Sequence, residues 1–333
     1  MEARRETAAR RFTAPPIVWG KALAVAAGSV HNDRMERSMA RDWRWWTWVA
    51  WCCAAILALP LLDAPWFGPL GYGIAIALSA LLVGAVTGTL LRDRRRIDVR
   101  DLVAIAALYL VVVALFVLAF RVFTTGNVLG LFLCFAAGML VGVVGPIVYT
   151  VWMRGRALST LGLGSSHWRA AIGLGVLLGS LQFAVTFIGR ELPADPEDWV
   201  PLLVMSLTVG VFESVFFRGF VQDRLRASFG QGVGVAGGAV LYGLYHVGYG
   251  MAAAEMVFLT GLGVLYAVAY ALVRNVFVLW PLLTPIGSFF SNLAGGGFEL
   301  PWVSILGFVD VLGLMAAAVW LAARHRRRQP ARA

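Results

Sequence analysis

Ten apolar runs of helical length, separated by short charged gaps, constrain this chain more than anything else in it. They fall at about 45–63, 69–91, 102–120, 127–153, 170–188, 200–217, 233–252, 256–273, 276–294 and 301–323. Runs of about 17–25 apolar residues are what an α-helix needs to cross a hydrocarbon core some 30 Å thick. In lipid every backbone N–H and C=O must be satisfied within the spanning structure, which makes continuous apolar runs helices. The spacing predicts an all-α, polytopic transmembrane helical bundle of about ten spans. With 60% hydrophobic and 14% charged residues, a soluble domain is excluded.

The net charge of +10 does not point to nucleic acid, because the basic residues form no patch. They sit in alternate gaps. The N-terminal tail, 92–100, 154–169, 218–226, Arg274 and the C-terminal tail hold 26 of the 28 Lys and Arg residues, while Arg121 and Arg190 lie on the other side. By the positive-inside rule both termini are expected in the cytoplasm. Cys52, Cys53 and Cys134 all lie in apolar runs, at spacings that imply neither a disulfide framework nor a zinc site.

Four regions are expected. Residues 1–44 read as a basic, disordered cytoplasmic tail, within which Met35 or Met39 would serve equally as a start. Residues 45–194 supply the N-terminal transmembrane helices, 195–295 a polar-studded bundle, and 296–333 the last helix with a basic cytoplasmic tail.

Polar residues inside the spans are costly and mark function by default. Glu213 sits mid-run, with Gly210 and Ser206 on its face, small residues that admit a neighbouring helix. Arg218 is five positions on, about 140° round an α-helix, and so is a poor intrahelical partner. His246, with Tyr242 one turn before it, is the histidine inside a span. A carboxylate and an imidazole on adjacent helices form a pair that polarises water, as general-base hydrolysis requires. Counted from Val233, His246 lies about thirteen residues or roughly 20 Å deep, whereas Glu213 lies about five residues from that side. The two meet only if the Gly230–Gly238 stretch lies outside the span or loops into a cavity. A third stripe, Thr284, Ser288 and Asn292, recurs every fourth residue on a helix carrying Pro281 and Pro285. Asn292 offers amide donors to an oxyanion, whereas Thr284 and Ser291 read better as interhelical glue. The string Gly232-x-Gly234-x-x-Gly237 matches a dinucleotide fingerprint, but no strand precedes it and close helix packing explains it better.

Glu213-(x)4-Arg218, Tyr242-(x)3-His246 and a polar helix ending in Asn292 resemble the CAAX-protease and bacteriocin-processing family (CPBP) of intramembrane endopeptidases, over roughly residues 195–295. That family carries E-E-x-x-x-R, F-x-x-x-H and H-x-x-x-N/D on successive helices. The resemblance implies that Glu213 activates water, that His246 assists it, that Arg218 is the motif arginine, and that Asn292 with position 288 serves the oxyanion. Ser214 stands where the second Glu is expected and Ser288 where the third-motif His is expected. The implied function is hydrolysis of a membrane-associated protein or peptide by a multi-pass protein of the bacterial plasma membrane. Residues 157–169 also resemble the cytoplasmic lead-in of bacterial members. No cofactor is expected: Glu213 and His246 are two ligands where a catalytic zinc wants three, and H-E-x-x-H is missing. Two other classes compete, a catalytically impaired scaffold or immunity-type protein and a transporter using Glu213 as a cation site.

Overall fold

A computed structural model describes residues 42–89, 97–124, 127–188, 190, 192–295 and 300–328. The expected tail up to residue 41, most of the arginine-rich gap at 92–96 and the last residues from 329 lie outside them. The described residues form helices and connections, without a strand. In chain order the helices are α1 (Trp43–Asp63), α2 (Gly68–Thr87), α3 (Val99–Val122), α4 (Val128–Met153), α5 (Trp168–Phe187) and α6 (Pro196–Phe229). Then come α7 (Gln231–Tyr245), α8 (Ala253–Val273), α9 (Leu283–Gly295) and α10 (Ser304–Arg328). Each matches one apolar run of the sequence. Eight are long and apolar enough to cross a membrane, α7 and α9 being the shorter ones. The chain is an integral, multi-pass membrane protein.

The helix starts are written in short polar side chains. Asp42, Asp98, Asn127 and Asp195 each accept a hydrogen bond from a backbone N–H of the first turn of the helix that follows. Pro196 fits the first position of α6, and Glu197 and Asp198 complement the positive end of its dipole. Between helices, small residues replace hydrophobic force with close approach. A Cβ on Gly261 of α8 would come within 2.7 Å of Gly73 Cα of α2, so these backbones cross in direct contact.

One boundary departs from expectation. The segment 218–226, expected as a loop at the cytoplasmic side, continues α6, making a helix of 34 residues. Its charges ended the apolar run in the sequence, but those beyond Arg218 are paired in the fold. Arg224 donates to Thr150 Oγ1 (2.9 Å) and to Thr160 O (3.2 Å). Gln222 donates to Ala267 O (2.8 Å), and Asp223 accepts from Tyr270 and Arg226 at 2.9 and 3.0 Å. Beside this plug, Asp98 and Asp101 at the start of α3 meet Arg154 and Arg156 beyond the end of α4. Partial burial works against ionisation of Asp98. The Asp101 amide and the Arg154 and Arg156 guanidinium groups outweigh it and hold the carboxyl below its ordinary range. Arg326 of α10 donates to Gly155 O (2.8 Å), so the ends of α4 and α10 meet at this same arginine-rich face.

Candidate active site

Helices α6 and α7 form an antiparallel hairpin around Gly230, whose φ of +98° suits glycine. Its register follows from two close approaches. A Cβ on Gly234 would lie 2.7 Å from Arg226 Cβ, and one on Gly238 would lie 3.1 Å from Gln222 Cβ. Continuing that pairing sets His246 level with Glu213. The depth conflict posed by the sequence is resolved by the length of α6, not by a looped glycine segment, since the chain is helical from Gln231 onward.

At Glu213 the α-helical winding gives way to a π-helical stretch, Ser214–Gln222. In a π turn the hydrogen bond closes five residues apart, so residues five apart stack, where an α-helix would stack those four apart. This turns Arg218 back toward the face of Glu213, correcting the 140° separation expected for a regular helix. Both residues then meet Tyr242 of α7. Its hydroxyl donates to Glu213 Oε2 (3.4 Å), and the Arg218 guanidinium lies over its ring at 5.0 Å.

The tightest contact of the site comes from a residue the sequence reading left without a role. Tyr245 donates its hydroxyl to Glu213 Oε1 at 2.5 Å. The same ring lies 4.0 Å from the His246 imidazole, centroid to centroid, and so touches both members of the pair. Tyr242, Tyr245 and Tyr249 recur at helical spacing, and this periodicity was the available signal. His246 Nδ1 lies 2.9 Å from Tyr242 O. A carbonyl only accepts, so Nδ1 carries the proton and Nε2 keeps the lone pair, the ring's basic atom. No hydrogen bond or ion pair joins Glu213 and His246 directly among the described residues. Phe116, Phe212 and Phe217 pack round Tyr245 and keep the surroundings apolar. Glu213 and His246 each retain about 6% exposure.

The third stripe lies elsewhere. Helix α9 packs antiparallel on α6, with Pro285 against Gly210 and Phe289 in the cluster of Leu202 and Phe187. Ser288 and Asn292 are therefore about two and three helical turns from Glu213, roughly 10 and 16 Å along the axis. Asn292 donates to Ser288 O (2.7 Å) and Ser288 Oγ (3.4 Å) of its own helix. The fold unites Glu213, Arg218, Tyr242, Tyr245 and His246, and leaves Ser288 and Asn292 apart. A three-ligand metal set does not form here either: among the described residues no three His, Cys, Asp or Glu side chains converge.

Residues 195–284 match the family described as Rce1-like, type II CAAX prenyl endopeptidase Rce1-like, in agreement with the resemblance carried by the motifs. The matched segment contains Glu213, Arg218 and His246 and ends before Ser288. No curated protein and no solved structure gave a significant match.

Proposed function

Taking residues 195–284 as an Rce1-like segment, we propose that this protein is an intramembrane endopeptidase of the glutamate type, acting on a membrane-associated protein or peptide. The observation that carries this reading is the level pairing of Glu213 and His246, linked through Tyr245. Glu213 takes a proton from a water that His246 Nε2 orients, and the resulting hydroxide attacks the scissile carbonyl carbon. The proton then passes to the departing amine as the C–N bond breaks. Tyr245 and Tyr242 fix the carboxylate, and Arg218 sets Tyr242 through the face of its ring. General acid–base groups of this kind contribute about 10²–10⁴-fold. The oxyanion role of Ser288 and Asn292 rests on the motif alignment alone, given their distance along α9.

The active face is proposed to be cytoplasmic, with both termini on that side, in a bacterial plasma membrane. Cleavage of quenched peptides by the protein in liposomes tests the activity, with Glu213→Ala as the zero and His246→Ala expected to match it. One observation favours a second reading, a scaffold or immunity-type protein: Ser214 and Ser288 replace two motif residues, and α9 brings no donor to Glu213. Wild type indistinguishable from Glu213→Ala across a broad substrate set would establish that reading instead.

A further inference from the structure

Ser214 Oγ and both Nη atoms of Arg218 are buried without a hydrogen-bond partner among the described residues. Both side chains are 1% exposed, and they are four residues apart on the π stretch of α6. Arg218 rests on the Tyr242 ring, a contact that satisfies none of its N–H groups. The adjacent carboxylate, Glu213, is engaged by the two tyrosine hydroxyls and forms no ion pair with Arg218. A guanidinium fork offers parallel donors matched to the two oxygens of a carboxylate, and a serine hydroxyl adds a third. Water would accept these hydrogen bonds one at a time, whereas a carboxylate accepts from both arms of the fork at once.

We propose that Ser214 and Arg218 form a carboxylate-binding site beside Glu213. Its ligand is a small carboxylate anion or an acidic group carried on a peptide. Ser214 is the short side chain at a position where the motif has a glutamate, so the carboxylate that the sequence no longer tethers there is supplied by the ligand. The site itself rests on the placement of Arg218 and not on hydrolysis; only a peptide-borne ligand deepens the protease reading.

The test is thermal unfolding of the full chain in detergent, at constant ionic strength, with increasing sodium formate. A ligand that binds the folded state raises the midpoint with concentration. Formate is expected to raise it by a few degrees, while neutral formamide does nothing. Ser214→Glu, which builds a carboxylate in, is expected to start higher and lose the response. Arg218→Gln, which removes the fork, is expected to start no higher and lose it too. Acetyl-Asp-amide and acetyl-Asn-amide separate the sources. A response to formate alone assigns a small anion, and an additional response to the Asp compound but not its Asn twin assigns a peptide-borne group. No shift with formate or the Asp compound overturns the proposal. So does an equal shift with chloride or formamide, or a formate response that survives in Arg218→Gln. The readout is independent of cleavage, so this proposal and the protease reading fail separately.

Discussion

Replacing Tyr245 by Phe removes one oxygen atom and leaves the ring, and the structure says what that oxygen holds. The hydroxyl donates to Glu213 Oε1 at 2.5 Å in surroundings built from Phe116, Phe212 and Phe217. A hydrogen bond to a charged group contributes about 1.5–3 kcal/mol net, against about 0.5–1.5 for a neutral pair. The ring contacts to His246 and Phe217 survive in the variant, so no cavity cost is added. Tyr245→Phe is therefore expected to destabilise the fold by about 1.5–3 kcal/mol. Tyr242→Phe, whose hydroxyl stands off at 3.4 Å, is expected to cost under about 1 kcal/mol. The assay is unfolding in mixed micelles followed by tryptophan fluorescence, run as a double-mutant cycle with Glu213→Gln. On the Gln background the Tyr245→Phe cost is expected to fall by about half, because the acceptor is no longer charged. Equal costs for the two tyrosines, or an undiminished cost on the Gln background, would refute the clamp as described.

Reporter fusions at the C-terminus and in the 192–195 connection are expected to report opposite sides, with the C-terminus cytoplasmic; the reverse would move the site to the other face. Asp101→Ala removes the acceptor of Tyr149 and of one Arg156 arm, while Asp98 still pairs Arg156 and Thr150 still holds Arg224, and it is expected to cost about 1–3 kcal/mol, read by the same unfolding assay. Asp98 has a depressed carboxyl, so its contribution is complete above the ordinary aspartate value of about 4 and fades as pH falls below it. Wild type should accordingly lose more stability than Asp98→Asn between pH 5 and about 3. Gly210→Leu pushes side-chain atoms into Pro285, whose Cγ would already lie 2.7 Å from a Cβ, and is expected to cost about 1–3 kcal/mol through separation of α6 and α9.

The bundle was legible because lipid permits so few backbone solutions: each apolar run became one helix. The end of α6 was misread because hydropathy sees the charges at Asp223 and Arg224 and not their partners. Asp223 and Arg224 look like loop residues until Tyr270, Thr150 and Thr160 arrive from distant parts of the chain. Glu213 and His246 stood out as ionisable groups in apolar company. The geometry that unites them did not, because a π turn leaves no signature in periodicity, and regular α-helical winding sent Arg218 to the wrong side. Tyr245 was hidden differently: its spacing from Tyr242 and Tyr249 puts the three near one helix face, but that spacing alone does not say which of them clamps a carboxylate. The α9 stripe had the right composition, but only the Gly210–Pro285 contact reveals how far along α6 it sits.

The length of α6 ties the site to the membrane itself. Thirty-four residues at about 1.5 Å each make a rod of about 51 Å, against a hydrocarbon core of about 30 Å. A rod that long must lean or project, and the helices packed against it set the lean. Glu213 stands near its midpoint, where the winding changes. The carboxylate is thereby anchored in the middle of the longest helix, with packed helix on both sides of the change in winding.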